Sequence, residues 1–181
     1  MSNIVYIATS LDGYIADKSG GLEWLNAIPN PEHQDFGFSE FMDRIDALVM
    51  GRKTFETVAQ FDGEWPYPKP VFVLSNTLAS LPDGYDGKAV LMAGPIRDLV
   101  ENLRQNGYEE LYIDGGVTIQ NFLQEGLIDE MIITRIPVVL GGGTPLFGTL
   151  AEPVMFEHIK TEVLLDAMVQ SHYRKKPTTQ K

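Results

Sequence analysis

The sequence predicts an α/β fold: a mixed, mostly parallel sheet with helices on both faces and an antiparallel hairpin at the C-terminal end. Two observations favour this fold. Short apolar segments rich in β-branched residues alternate with amphipathic helical patterns over residues 4–126, which is typical of parallel strands joined by helices. After residue 131 the strand patterns follow one another without a helix between them, as they do where strands pair antiparallel.

The composition suits a globular protein of one domain. The chain has 181 residues, of which 44% are hydrophobic and 22% charged. We expect a domain over residues 1–174 and a flexible tail over 175–181. The net charge of −11 argues against nucleic acid and against an anionic membrane as partners. Because there is no cysteine, no membrane-spanning apolar run and no signal-peptide pattern, we expect a cytoplasmic protein.

The first half of the chain contains four predicted strands and two predicted helices. The strands are short apolar segments at 4–9, 47–50, 71–75 and 89–92. Four apolar residues with the spacing i, i+3, i+4, i+7 predict an amphipathic helix over 38–45. A shorter helix is predicted at 53–59. Residues 11–34 are too many for an ordinary connection, so we expect a functional loop there.

Two further helices are predicted in the second half, on either side of a strand at 110–113. Glycine and proline at 94–95 start the first helix, and Gly107 ends it. The second helix is capped by Thr118 or a neighbour and ends at Gly126.

Three strands follow. The first is predicted over 131–140, where Pro137 indicates a bulge or a sheet edge. The segments 156–165 and 167–174 predict an antiparallel hairpin that turns near Asp166.

Two junctions between a strand and a helix contain glycine, and each could hold a phosphate group. Residues 51–54 read Gly-Arg-Lys-Thr, and residues 114–118 read Asp-Gly-Gly-Val-Thr. The first N–H groups of a helix have no intrahelical partner and carry a partial positive charge. Two such junctions, one with two cations, favour a ligand with several phosphates, such as a nucleotide cofactor. The alternative is a pair of tight turns with solvated cations.

Several other signatures are missing. There is no G-x-G-x-x-G and no G-x-S-x-G. Residues 141–149 have the glycine spacing of a P-loop, but Thr149 stands where that motif requires lysine. The histidines His33, His158 and His172 are far apart and lack metal-ligand spacing, so we expect no metal site.

Three acidic residues and one tryptophan are further candidates. Asp12 is either a turn residue or a catalytic carboxylate. Asp35 lies at the start of the first helix, as a cap or as a proton donor. Trp24 is either a packing anchor or part of a lid over a flat ring. Asp114 would repel a phosphate, so it must point away or bind a hydroxyl group.

In their order, these segments resemble the dihydrofolate-reductase-like superfamily and, within it, the riboflavin-biosynthesis deaminase/reductase C-terminal domain group. The resemblance covers residues 3–174. It rests on SLDGYIA at 10–16, EWL at 23–25, DALVMGRKTFE at 46–56, FVLSN at 72–76, LYIDGG at 111–116, FLQEGLIDE at 122–130 and PVVLGGGTPLF at 137–147. It implies a dihydrofolate-reductase-like fold and NADPH as the cofactor.

The resemblance also implies roles for individual residues along the ends of four strands. These are Ala8 and Thr9 at the nicotinamide, Gly51, Arg52, Lys53 and Thr54 at the adenosine-side phosphates, Leu74, Ser75 and Asn76 at the adenosine, and Gly115, Gly116, Val117 and Thr118 at the pyrophosphate. Arg52 is expected to bind the 2′-phosphate. The loop with Asp12 and Trp24 is expected to close over the nicotinamide. Asp35 matches by spacing the acidic residue of dihydrofolate reductases.

The implied activity is NADPH-dependent reduction of a small heterocyclic or sugar-linked substrate, which also takes up a proton. The specific reaction that the resemblance implies is the reduction of 5-amino-6-(5-phosphoribosylamino)uracil. The group generally has a lysine shortly before SLDG and an arginine-containing helix at the substrate phosphate. Here residues 6–9 read Tyr-Ile-Ala-Thr, and Arg44 is the only cation of the acidic helix segment 35–46.

Two alternatives remain open. The chain could be a dihydrofolate reductase, if Asp35 is buried and its pKa is raised. It could also be a nucleotide- or flavin-binding module without turnover. In each case we expect a small-molecule ligand and a homodimer, with neither nucleic acid nor membrane as a partner.

Overall fold

The computed structural model describes residues 1–61 and 64–177, and an eight-stranded sheet lies at its centre. The strands of this sheet are β1 (Ser2–Thr9), β3 (Ala47–Gly51), β4 (Val71–Leu74), β5 (Ala89–Met92), β6 (Glu110–Asp114), β7 (Glu130–Arg135), β9 (Phe156–Leu164) and β10 (Met168–Lys175). A separate two-stranded sheet consists of β2 (Tyr14–Ala16) and β8 (Thr144–Pro145). The helices are α1 (Phe38–Arg44), α2 (Arg52–Ala59), α3 (Ile96–Gln105) and α4 (Gly116–Gln124), with a short 3-10 helix at Glu23–Asn26.

Across the large sheet the strand order is β5-β4-β3-β6-β1-β7-β10-β9. The strands from β5 to β7 pair in parallel, whereas β10 pairs antiparallel with both β7 and β9. This confirms the predicted sheet and its C-terminal hairpin.

Helices cover both faces of the sheet, as predicted, because alternate residues of the strands point to opposite sides. In β3, Leu48 and Met50 pack with residues of α1 and α2, such as Phe41. Ala47 and Val49 pack instead with residues of α3 and α4. None of the helices in the described ranges could cross a bilayer, since the longest, α3, has 10 residues.

Two predicted element ends are wrong. β7 ends at Arg135 and does not continue to residue 140, because Pro137 has no N–H to donate to a strand ladder. α4 begins at Gly116 with Gly115 as its N-cap, so Thr118 lies inside the helix and is not its cap.

The C-terminal boundary also differs from the prediction. Lys175, which we assigned to the tail, is the last residue of β10, and its N–H donates to the Asp129 carbonyl at 2.7 Å. The Lys176 N–H donates to the Met155 carbonyl at 2.8 Å. The rest of the predicted tail from residue 178 onward lies outside the described residues.

Glu130 joins three elements at the amino end of the sheet. Its side chain is 8% exposed and accepts hydrogen bonds from the Arg44 Nη1 and Nη2 atoms, each at 3.0 Å. The Nε2 atom of His172 lies 3.0 Å from the same carboxylate. Burial opposes ionisation, but these partners hold the pKa of Glu130 below its usual value. The carboxylate therefore links α1, β7 and β10.

Candidate functional site

The large sheet opens between two of its central strands. β1 pairs with β6 only at residues 2–4, opposite residues 110–112. Beyond that point β1 continues along β7 as far as Thr9, and β6 continues along β3 as far as Asp114. The carboxyl ends of β1 and β6 are therefore separated. Ligands of open α/β sheets bind in such crevices at the carboxyl edge.

The two glycine junctions lie side by side next to this opening. A Cβ atom on Gly51 would lie 2.8 Å from Thr118 Oγ1, and one on Gly115 would overlap Thr54 Oγ1. Gly115 also has a φ of 91°, which side-chain-bearing residues rarely adopt. Each junction thus packs its glycine against the threonine of the other. The sequence predicts two junctions; the structure combines them into one cradle.

The first turns of α2 and α4 offer N–H groups to a ligand. Neither helix has a side-chain hydrogen bond at its N-terminus. In α4 the N–H of Ile119 reaches the carbonyl of Gly115 at 2.9 Å, so the N–H groups of 116–118 precede the first intrahelical bond. The corresponding positions of α2 are 52–54. Both sets lie at the positive end of a helix dipole, where phosphate is favoured.

Cations lie only at the first junction. Arg52 is 47% exposed, and its Nε atom donates to Glu56 Oε1 at 2.6 Å on the next turn. Lys53 is exposed beside it. The ion pair orients the Arg52 guanidinium at the start of α2. This arrangement suits a phosphate group that extends past the helix end.

The other predicted cofactor residues lie at the same edge of the sheet. Ala8 and Thr9 end β1, and the Thr9 carbonyl accepts the Ile136 N–H at 2.8 Å. Leu74 ends β4. Two loop side chains hold the following segments in place, because Ser75 Oγ accepts the Leu78 N–H at 3.1 Å and Asn76 Oδ1 accepts the Gly94 N–H at 2.9 Å. Cofactor binding by these residues stays a prediction.

Asp12 has a structural role, and its assignment as a catalytic residue stays a prediction. Its carboxylate accepts hydrogen bonds from Ser10 Oγ at 2.6 Å and from the N–H groups of Leu140 and Gly141 at 3.1 and 2.8 Å. These bonds, that of Ser10 above all, lower the pKa of Asp12 to about 2. Through these hydrogen bonds Asp12 ties its loop to the glycine segment after β7.

Asp35 lies two residues before Gly37, the N-cap of α1, and does not reach a buried pocket. It is exposed, and it accepts the N–H groups of Gly37 and Ser39, each at 3.0 Å. Hydrogen bonds from Ser39 and Gly37 lower the pKa of Asp35. The role of Asp35 as a proton donor stays a prediction. The dihydrofolate reductase alternative loses the buried acid on which it depended.

Asp114 is the carboxylate that the structure places at the opening. It ends β6, is largely buried, and its Oδ1 atom accepts the Gly115 N–H at 2.8 Å. Burial raises the pKa of Asp114 to about 6. Burial raises the pKa of Tyr67 and of Tyr112, and the charge of Asp114 adds to both shifts. The sequence prediction that Asp114 points away from phosphate or binds a ligand hydroxyl stays open.

Trp24 lies in the short 3-10 helix of the long loop. Its side chain is half-buried, and its Nε1 atom is buried without a hydrogen-bond partner among the described residues. Its proposed part in a lid stays a prediction.

A flap that the sequence did not predict covers the second junction. The β2–β8 sheet brings Ile15 Cδ1 and Thr144 Cγ2 within 3.0 Å of where a Cβ on Gly116 would lie. Two glycines before β8 also allow β2 and β8 to pack closely. A side chain on Gly142 would overlap Lys18, and one on Gly143 would overlap the Ala16 backbone. The glycine spacing at 141–149, which resembles that of a P-loop, therefore reflects close packing against β2. Because β2 has three residues and β8 has two, neither shows an alternating hydrophobic pattern from which the flap could be predicted.

Metal ligands do not cluster in the part of the chain that the structure describes. No three His, Asp or Glu side chains within residues 1–61 and 64–177 could hold a metal ion together. The candidate site is therefore built from helix ends, glycines, two cations and Asp114.

Comparisons with known proteins agree with this architecture. Residues 3–169 match the RibD C-terminal domain family. The chain is 35% identical over 173 residues to the uncharacterized protein YwjB of Bacillus subtilis (strain 168), covering 94% of this chain and 95% of YwjB. A solved structure from Shewanella sp. PV-4, whose name assigns it provisionally to riboflavin biosynthesis, is 58% identical with a TM-score of 0.96. It covers 98% of this chain and 100% of that one.

Two more distant structures share the fold. Dihydrofolate reductase from Enterococcus faecalis, complexed with NADP(H) and RAB-propyl, has a TM-score of 0.68 at 19% identity and covers 97% of each chain. A deaminase/5-amino-6-(5-phosphoribosylamino)uracil reductase from Thermotoga maritima has a TM-score of 0.72 at 15% identity, covering 97% of this chain and 56% of that one. The chain belongs to the RibD C-terminal domain family and has a dihydrofolate-reductase-like fold.

Proposed function

We propose that the protein is an NADPH-dependent reductase of a small heterocyclic or sugar-linked substrate. The observation that carries this proposal is the pair of uncapped helix starts, 52–54 and 116–118, which lie together beside the opening between β1 and β6. A dinucleotide has phosphates for such a cradle and a ring that can enter the opening. The Thermotoga maritima and Enterococcus faecalis neighbours, whose names include a reductase and NADP(H), support it.

The chain's own residues fit this cofactor. Gly51 and Gly115 let the backbone approach phosphates, and the N–H groups of both helix starts are positioned to bind them. Arg52 and Lys53 add the cations that an additional 2′-phosphate requires. The flap at Ile15 and Thr144 covers the second helix start and would exclude water.

Hydride transfer from a bound nicotinamide requires few catalytic side chains of the protein. When bound, NADPH would supply a hydride from its nicotinamide to a C=N or C=O carbon. Ala8 and Thr9 at the end of β1 would form the wall beside the ring, and the opening would align the two reactants. The substrate also needs a proton. The Asp114 carboxyl can hold one at this edge, and water is the other source.

Titration of the purified protein with NADPH and with NADH, followed by nicotinamide fluorescence, tests the proposal. We expect NADPH to bind more tightly than NADH, because only NADPH carries the 2′-phosphate. A folded protein that binds neither would contradict the cofactor assignment. Tight binding without oxidation of NADPH, across pteridine and pyrimidine substrates, would favour the binding-module alternative.

A further inference from the structure

The two edges of the large sheet differ in length and in exposure. β5, at one edge, has four residues, and β9, at the other, has nine. Among the strands that the structure describes, β9 pairs only with β10, and the side chains of residues 157–163 are all exposed. The outer side of such a strand presents a row of backbone N–H and C=O groups to which another strand can be added.

Exposed apolar side chains accompany this edge. Val163 is 65% exposed and pairs with Val169 of β10, which is 40% exposed. Ile159 of β9 is also 40% exposed. The hydroxyl group of Thr161, between Ile159 and Val163, lies 2.9 Å from Ser171 Oγ and therefore already has a hydrogen bond. A partner strand would thus cover apolar surface without leaving this hydroxyl group unsatisfied.

Two opposite charges flank Thr161. Lys160 Nζ and Glu162 Oε2 are 3.3 Å apart, and both side chains are more than half exposed. Residues 158–165 contain no other lysine, arginine, aspartate or glutamate, so this segment is neutral in a chain whose net charge is −11. Because two copies of a strongly acidic chain repel each other, a neutral segment is a place where they can approach.

The order of these residues favours one antiparallel pairing of β9 with its own copy. A two-fold axis perpendicular to the sheet relates such copies, so that one residue faces its own equivalent. An axis at Lys160 places two lysines opposite each other, and an axis at Glu162 does the same with two glutamates. An axis at Thr161 instead places Lys160 opposite the partner's Glu162 and Ile159 beside the partner's Val163. Opposite charges and threonine pairs stabilise a sheet, whereas like charges directly opposite destabilise it.

A bulge restricts the pairing to the same part of the strand. Ile159 is an extra residue between two paired positions of β9, so the regular edge runs from residue 160 to residue 164. Bulges and lysines protect sheet edges from unspecific pairing. Here the bulge limits the length of the edge and Lys160 disfavours the registers that bring like charges together. Both features leave the pairing centred on Thr161 available.

We propose that the protein forms a homodimer in which the β9 strands of two copies pair antiparallel about Thr161 and join two eight-stranded sheets into one. The occupant of the edge is therefore a second copy of this chain. The interface is small, so the dimer dissociates readily on dilution. The inference is independent of the proposed function, because β7 and β10 separate β9 from β1 and the cradle lies at β3 and β6.

Sedimentation equilibrium of the full chain, at concentrations from about 1 to about 200 μM, tests the inference. We expect a reversible dimer, and a protein that stays monomeric throughout would overturn the inference. Val163→Lys is expected to raise the dimer Kd at least tenfold. Val90→Lys is the matched control, since Val90 is a 52% exposed valine on β5 at the opposite edge, and it should leave the Kd unchanged. A Val163→Lys protein that dimerises like the parent would also overturn the inference.

An exchange of charges tests the register. Lys160→Glu and Glu162→Lys each place like charges opposite one another, so each variant alone is expected to have a dimer Kd at least tenfold above that of the parent. In an equimolar mixture every glutamate of the first variant at these positions faces a lysine of the second. We therefore expect the mixture to associate as tightly as the parent. With both variants folded by circular dichroism, a mixture that associates no better than its components would contradict this pairing.

Discussion

At the residue scale, Arg52 is the side chain that most directly distinguishes NADPH from NADH in this account. Arg52→Ala is expected to weaken NADPH binding by roughly 1.5–3 kcal/mol, the size of a hydrogen bond to a charged group, with a much smaller effect on NADH. Isothermal titration calorimetry with both nucleotides measures the difference.

A matched control for this variant is Arg97→Ala, which removes an exposed arginine that is ion-paired with Glu125 away from the cradle. It should change neither affinity. Equal losses of NADPH and NADH binding in Arg52→Ala would remove Arg52 from the 2′-phosphate role.

Asp114 makes stability depend on pH in a direction that can be measured without a substrate. Its pKa is raised to about 6 from the ordinary 3.8, so the folded state holds a proton that the unfolded state releases. The stabilisation that this proton provides is complete below about pH 4 and is lost as the pH rises through 6. We expect the unfolding free energy of the protein to fall by about 1–3 kcal/mol relative to Asp114→Asn between pH 4 and 7. Urea unfolding at several pH values tests this; parallel curves for the two proteins would show that the pKa is not raised.

The roles of single carboxylates could not be predicted from the sequence alone. Asp12, Asp35 and Asp114 each lie beside a glycine or at a helix start, and the local patterns are similar. N–H groups from a distant segment reach the carboxylate of Asp12 alone among these three, and exposure separates Asp35 from Asp114. Leu140 and Gly141 reach Asp12 from over a hundred residues away, and nothing in the local sequence signals that contact.

At the scale of elements, the contact between the two junctions makes Gly115 essential. Gly115→Ala is expected to destabilise the protein by about 2–4 kcal/mol, because it combines a positive φ with overlap against Thr54. It should also abolish NADPH binding by displacing the starts of α2 and α4. Thermal unfolding and nucleotide titration are the measurements.

Gly87→Ala is the matched control, since Gly87 also has a positive φ but no atom within 4 Å of its added Cβ. It should cost only the backbone strain, about 1–2 kcal/mol, and leave NADPH affinity unchanged. Equal effects of both variants would show that the junctions do not depend on close contact.

Helices and strands with a strong hydrophobic periodicity could be predicted from the sequence, and those without such a periodicity could not. The stripe in 96–103 and the glycine after it place α3 within a residue or two of its observed ends. β2 and β8 are too short to show alternation, so the flap was missed. β7 was predicted too long because apolar residues continue past Pro137, where they form a loop.

At the scale of the whole molecule, Glu130 links α1 to the C-terminal half of the sheet. Glu130→Gln removes a largely buried carboxylate that serves Arg44 and His172. We expect it to lower the unfolding free energy by about 1–3 kcal/mol without changing nucleotide affinity, because it lies at the opposite edge from the cradle. Glu162→Gln, which breaks an exposed pair with Lys160, should have almost no effect. A Glu130→Gln protein as stable as the parent would contradict this role.

The fold class could be predicted from the order of strand and helix patterns in the sequence. The assembly of the candidate site could not, because it depends on which strands pair. Strand order brings β3 next to β6, so that Gly51 and Gly115 meet, and separates the ends of β1 and β6. Pairing partners over such distances leave little trace in one sequence. The homodimer likewise stays a prediction, which sedimentation equilibrium would test.

Both helix starts are expected to bind one nicotinamide dinucleotide. Titration of ¹⁵N-labelled protein with NADPH, followed by amide resonances, measures this. We expect the amides of 52–54 and 116–118 to shift together and to saturate at one equivalent, while those of β9 do not move. Binding of NADPH that leaves either helix start unshifted would contradict a shared cofactor cradle.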